Sequence, residues 1–152
     1  MGRFLDMRIS ENSSTFGFPP GTGVVTAPTS IGVIGLQTQG VAGTGTNGLI
    51  VHLAGTVGVA STAVATVVLN VQRGAGAFGA GLVIYTADHF ISVLTGANLI
   101  SLTASDITAP AAAETVYQLF ISATSLLGVV SRVGPENFVG IAQDGLAVTP
   151  IT

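Results

Sequence analysis

The chain of 152 residues has no cysteine, no lysine and no tryptophan, and little charge of either sign. The missing cysteine excludes disulfides and thiolate metal sites, and it leaves the redox compartment unread. The missing lysine excludes a phosphate-binding P-loop, which needs one. Charged residues are 7% of the chain, against about 25% in an average soluble domain. The only basic residues are Arg3, Arg8, Arg73 and Arg132. They do not cluster, which argues against nucleic acid as a partner. A formal net charge of -3 is too weak to argue for any charged partner. With so few charges, the surface falls to Thr, Ser, Gln, Asn and Ala. Mixed surface charge keeps monomers apart, so most of this surface is expected to be covered by neighbouring molecules.

The N-terminus lacks the apolar run of a secretory signal, because Arg3, Asp6 and Arg8 interrupt it. It opens Met1-Gly2, but Asp6 stands where a myristoylation motif wants Ser or Thr. Residues 49–71 carry no formal charge and have the length of a membrane span. They also contain Gly55, Gly58, Ser61 and Asn70 among many Val and Thr. Val and Thr favour strands, so no membrane span is expected.

What is present is β-forming residues in short runs. Hydrophobic residues are 48% of the chain but aromatics only 6%, and there are 21 glycines. The spacing predicts strands over 30–38, 49–59, 63–73, 82–90, 98–102, 115–123 and 129–133, with a further one at 137–142. The clearest period of two puts Val67, Leu69 and Val71 on one face, with Thr66, Val68, Asn70 and Gln72 on the other. Residues 115–124 are apolar on both faces, as in a buried central strand or one facing a partner. Glycine- and proline-rich breaks at 42–48, 74–81, 95–97 and 109–113 read as turns. One helical turn is conceivable in the alanine run after Pro110. Seven or eight short strands at this spacing predict an all-β antiparallel sandwich of jelly-roll type over residues 23–152.

Residues 1–22 differ. They combine four charges, the polar run Asn12-Ser13-Ser14-Thr15 and then Phe16-Gly17-Phe18-Pro19-Pro20. Proline lacks an amide donor, so this stretch cannot join a central sheet. It is expected to be an extended N-terminal arm. Phe16 and Phe18, with Pro19 and Pro20, are the candidate assembly residues, docking on a neighbouring subunit or on their own domain.

Chemistry-bearing motifs are few. Gly74-Ala-Gly76-Ala-Phe-Gly79 matches the dinucleotide glycine pattern, but β-branched residues follow where that site needs a helix. A hairpin loop is expected there, with no cofactor. His52 and His89 are the only histidines. His52 lies opposite Leu49, Val51 and Leu53 on a strand. Asp88 and His89 point to opposite faces, so the acid cannot orient its neighbour. No nucleophile elbow is present, and two separated histidines make no zinc site. The histidines are expected at the surface or an interface. The carboxylates are too dispersed for a glycosidase pair. Arg73 and Arg132 are expected to pair with Asp88, Asp106 or Glu136. Asn12-Ser13-Ser14 has the form of a glycosylation sequon. No catalytic, cofactor or metal residue is expected, and the chain is read as not an enzyme.

Five stretches carry a family resemblance. They are Leu49-Ile-Val-His-Leu-Ala-Gly-Thr-Val-Gly-Val59, Val67-Val-Leu-Asn-Val-Gln-Arg73, Ile84-Tyr-Thr86, Tyr117-Gln-Leu-Phe-Ile121 and Arg132-Val-Gly-Pro-Glu-Asn-Phe-Val-Gly140. In this order they resemble the small exosporium and spore-surface proteins of spore-forming bacteria, nearest to the exosporium protein C group. More distantly the chain is similar to the jelly-roll domains of endospore appendage subunits and collagen-like exosporium glycoproteins. It departs from them in having no collagen-like repeat and no cysteine for cross-linking. The resemblance implies a structural, self-assembling subunit of a spore surface layer or fibre, made without a signal peptide. Its partners would be copies of itself and other spore-coat proteins. The alternative is a lectin-like or coat-protein-binding jelly-roll module.

Overall fold

A computed structural model describes residues 3–17, 22–40, 48–92, 97–125 and 128–144. They form nine strands and no helix: β1 Arg3–Ser13, β2 Thr22–Val24, β3 Thr29–Leu36, β4 Leu49–Ser61, β5 Ala65–Arg73, β6 Leu82–Ile91, β7 Ala97–Asp106, β8 Thr115–Ser125 and β9 Val130–Asp144. Alternation builds the core. On β4 Val51, Leu53, Val57 and Val59 turn inward; on β5 Val67, Leu69 and Val71 do so, and on β8 Tyr117, Leu119 and Ile121. Burying each such side chain is worth about 1.5–3 kcal/mol, so the register that points them inward is strongly preferred.

The pairing follows one rule. The first half of the chain runs antiparallel against the second half: β1 with β9, β3 with β8, β4 with β7 and β5 with β6. The molecule is thus one long hairpin whose tip is the loop 74–81. Rolling it up adds two more pairings, β4 with β9 and β5 with β8. The result is two sheets, β1-β9-β4-β7 and β3-β8-β5-β6, with β2 beside β9. That order is a jelly roll, the architecture expected from the strand spacing. Residues 115–125 form β8, a central strand of the second sheet, which accounts for their apolar character on both faces.

The N-terminal segment is extended, as expected, yet most of it lies in the sandwich rather than beside it. Arg3–Ser13 pairs along β9 from Asp144 to Glu136, and Leu5 packs against the core. The domain therefore starts at β1, not at residue 23. Proline did not prevent this because β1 is an edge strand that ends before the proline pair. The first strand of the roll is interrupted and resumes as β2, opposite Val130–Arg132. The gap faces Val133-Gly134-Pro135, where β9 itself loses register with β4. The runs expected as separate strands at 129–133 and 137–142 are one strand, β9, crossing that irregularity. After Pro110 there is no helical turn, and β8 begins at Thr115.

Candidate assembly surface

β1 is polar on its inward side and apolar on its outward side. Asp6, Ser10 and Asn12 turn toward β3, the edge strand of the other sheet. The Gln37 amide donates to Asp6 Oδ2 at 2.9 Å, the Val33 amide to Ser10 Oγ at 3.4 Å, and Asn12 Nδ2 to the Ile31 carbonyl at 2.7 Å. An edge strand presents unpaired backbone groups, and these side chains stand in for a missing neighbour strand. Partial burial pushes the Asp6 carboxyl up. The Gln37 amide, the Arg8 guanidinium and the Met7 amide outweigh it and hold the group below its ordinary value. Arg8 Nε sits 3.0 Å from Asp6 Oδ2. With Asn12 committed to β3 and Ser13 buried, the sequon is part of this seam.

The outward side carries Phe4, Met7 and Ile9, which are 64%, 48% and 60% exposed. Met7 lies opposite Ile141 and Ile9 opposite Val139 on β9, so the four share the outer face of the first sheet. Sequence reasoning missed them because the four charges of residues 1–11 masked the alternation. The signal was Phe4, Met7 and Ile9 set between Asp6, Arg8 and Ser10.

Of the expected assembly residues, Phe16 is described and is 65% exposed. It lines a mainly apolar cleft of about 280 Å³ with Gly58, Leu99 and Pro135. The Gly17 amide ties the segment to the Val133 carbonyl. Phe18, Pro19 and Pro20 lie outside the described residues.

The glycine motif is a hairpin loop. Gly74, Gly76 and Gly79 have φ of 112°, 112° and 88°, a left-handed region open mainly to glycine. The chain then enters β6 directly, without the helix a dinucleotide needs. Gln72 holds the loop over the second sheet's outer face: the Gly79 amide donates to its Oε1 at 2.7 Å, and its Nε2 donates to the Ala77 carbonyl at 3.3 Å. Phe78 closes edge-on over Phe120, with ring centroids 5.4 Å apart.

The remaining polar groups are mostly spent on structure. Arg73 pairs with Asp106 at 2.7 Å and Arg132 with Glu136 at 2.7 Å. Asp106 is fully satisfied: Oδ2 also accepts from Tyr117 at 3.0 Å, and Oδ1 accepts the Thr108 amide and hydroxyl, each at 2.9 Å. This knot joins β5 and β8 of one sheet to β7 of the other. Burial first, and then the negative charge of Asp106, push the Tyr117 phenol well above its ordinary value. His52 is exposed on the outer face of the first sheet, between Ser105 and Gln143, each at 3.1 Å. His89 is half-buried on edge strand β6, its Nε2 turned inward without a partner, rather than at the surface. Among the described residues no group of three His, Asp or Glu side chains could hold a metal, and no helix is long and apolar enough to cross a membrane.

No family model matches the chain, and no curated protein matches it. Solved structures align with it at low identity. Dimeric latent PorU from Porphyromonas gingivalis aligns with a TM-score of 0.49 and 12% identity, over 94% of this chain and 13% of that one. The Eiger TNF of S. frugiperda aligns at 0.46 and 11%, over 99% of each chain. The PRD1 vertex protein P5 aligns at 0.39 and 14%, over 93% of this chain and 73% of that one. This chain therefore spans about an eighth of the PorU chain. At these identities nothing of those proteins' activities passes to it.

Proposed function

We propose that this chain is a structural subunit of a bacterial spore surface layer or fibre, that copies of it join through the N-terminal segment, and that it is not an enzyme. The observation that carries this reading is the outward apolar side of β1. A strand that gives its polar side chains to its own domain and its apolar ones to solvent is built to be covered. The scarcity of charge supports it, since little electrostatic repulsion holds copies apart. The order of sequence stretches resembling exosporium proteins supplies the location. Other spore-coat proteins are the second class of partner.

The junction differs from a free docking arm, because the coupling residues lie on a paired edge strand. Changing Phe4, Met7 and Ile9 together to Ser removes that apolar side and keeps β1's backbone pairing. Negative-stain microscopy and light scattering should show assemblies of the unaltered chain and small species of the variant. An antibody against the chain should label the outermost layer of spores. Equal assembly of both proteins would overturn the junction, and unlabelled spores the location.

One observation favours the alternative of a lectin-like or coat-protein-binding module. A cleft of about 680 Å³ opens between β1 and β3, lined by polar groups including Ser10, Glu11, Asn12 and Arg132. Among the described residues no aromatic side chain lines it, and such rings are the usual platform for a sugar face. Glycan-array binding by a monomeric protein would favour this reading over the first.

A further inference from the structure

We infer that two copies of this chain meet face to face through the outer face of the β1-β9-β4-β7 sheet, about a twofold axis that lies in the interface and runs across the strands. The inference rests on the self-assembly reading above and specifies which surface makes the contact and in what orientation.

The two outer faces of the sandwich are not equivalent. That of the second sheet has its own cover, the 74–81 loop with Phe78 on Phe120 and Gln72 beneath it. Among the described residues that of the first has cover only at one end, where Gly134 and Pro135 close over Gly58 and Phe16 stands by Leu99. Cross-strand partners lie side by side on one face of a sheet, so its rows can be read from the register. One row is Met7, Ile141, His52 and Ser105; the next is Ile9, Val139, Ala54 and Thr103. The half on β1 and β9 is therefore apolar, and the half toward β7 carries hydroxyls. Neither row holds an acid or an arginine.

Among the described residues the charged side chain on this face is Glu11, at one end of β1. Arg3 and Asp144 lie in the row of buried Leu49, on the inward side, where Arg3 donates to the Gly40 carbonyl at 2.7 Å. An in-plane twofold along the Met7 row keeps β1 over β1 and reverses strand direction. It stacks apolar half on apolar half and sets the two Glu11 side chains at opposite ends of the contact. A twofold along the strands would instead lay apolar β1 on the hydroxyls of β7. Polarity selects the first arrangement. The size is also adequate. Four strands about 4.8 Å apart and about ten residues at 3.4 Å each give a flat area on the order of 600 Å². Side-chain relief raises the accessible area toward the roughly 800 Å² per partner of a stable interface.

The absence of cysteine makes the test direct. Ile141 lies on the axis row, so Ile141→Cys should sit opposite its own copy. Sheets packed face to face are about 10 Å apart, beyond the roughly 4.4–6.8 Å of a disulfide, so a short bismaleimide is the probe. Phe90→Cys, on edge strand β6 of the second sheet and 74% exposed, is the comparison. Ile141→Cys should cross-link to a dimer in high yield and Phe90→Cys only at background. Ile141→Arg should weaken association at least tenfold by light scattering, with an unchanged β spectrum. If Ile141→Arg does not fold, the cross-linking of the two folded cysteine variants still decides. Assemblies that cross-link through Phe90 and not Ile141 would overturn this face while leaving self-assembly intact. An unaltered chain that stays monomeric at every concentration would overturn both.

Discussion

Tyr117→Phe removes one atom from the buried knot that ties the two sheets. The ring keeps its place among Leu119, Ile121 and the β5 valines, so no cavity opens and the cost is the lost hydrogen bond. A hydrogen bond to a charged group is worth about 1.5–3 kcal/mol. Asp106 Oδ2 keeps its 2.7 Å contact with Arg73, so the carboxylate is not orphaned and the lower part of that range applies, about 1.5–2 kcal/mol. For a chain of this length each kcal/mol moves the midpoint by about 2–4 °C, so Tm should fall by about 3–8 °C. Urea unfolding should show a lower midpoint at unchanged slope, because the surface exposed on unfolding is the same. Asp106→Asn should cost more, about 3 kcal/mol. It leaves the Arg73 side chain, only 19% exposed, without its counter-charge; the residual exposure keeps the figure at the low end. The double variant should lose less than the sum, since both changes remove the same bond. A Tyr117→Phe protein within about 0.5 kcal/mol of the parent would refute the claim that the phenol–carboxylate bond helps hold the sheets together.

The same knot fixes an alkaline limit. The folded phenol of Tyr117 is held above its ordinary value of 10.0, so the unfolded chain releases this proton first, and urea midpoints should fall as pH rises above that value. Asp6 gives the opposite limit: its folded value lies below the ordinary 3.8, so its contribution is present above that pH and is lost as pH falls through the folded value. The protection of the Gln37 amide, which Asp6 accepts, should fall there relative to the intrinsic exchange rate at each pH, and protection unchanged by acid would refute the seam. Gly58→Ala should be severely destabilising, about 3 kcal/mol or more, because its Cβ would sit 1.7 Å from the Gly134 carbonyl oxygen; an unchanged urea midpoint would show that β9 does not press on β4 there. Phe78→Ala should expose the 74–81 loop to limited proteolysis while the sandwich stays folded, and a loop as resistant as the parent's would show that the contact with Phe120 does not hold it down.

Much of the fold was legible because it rests on local alternation. The stretches predicted at 49–59, 63–73 and 82–90 became β4, β5 and β6 with ends moved by a few residues, since Val67, Leu69 and Val71 can be buried together only in an extended chain. The tip loop was legible for a local reason too: its glycines adopt positive φ, and β-branched residues follow it. The pairs Arg73–Asp106 and Arg132–Glu136 were among those anticipated, because few counter-charges exist in the chain. The expected arm was only partly legible. Proline at 19 and 20 and the charges before it mark a break, but nothing local says that β1 lies along β9 more than 120 residues away.

Sequence by itself determined the class of this protein: strands at regular intervals, glycine turns, a charge-poor surface, and neither a cysteine nor a lysine on which thiol or P-loop chemistry could rest. Those are properties of residues and their near neighbours. Tertiary structure decided everything that depends on which strands meet. It turned Asp6, Ser10 and Asn12 toward the edge of β3, and so turned Met7 and Ile9 outward beside Val139 and Ile141. It also put the glycine loop over one sheet and left Met7 and Ile9 exposed on the other. The physical reason is that a strand's two faces are fixed locally by its period of two, whereas the face that becomes the inside is fixed only by the partner it pairs with.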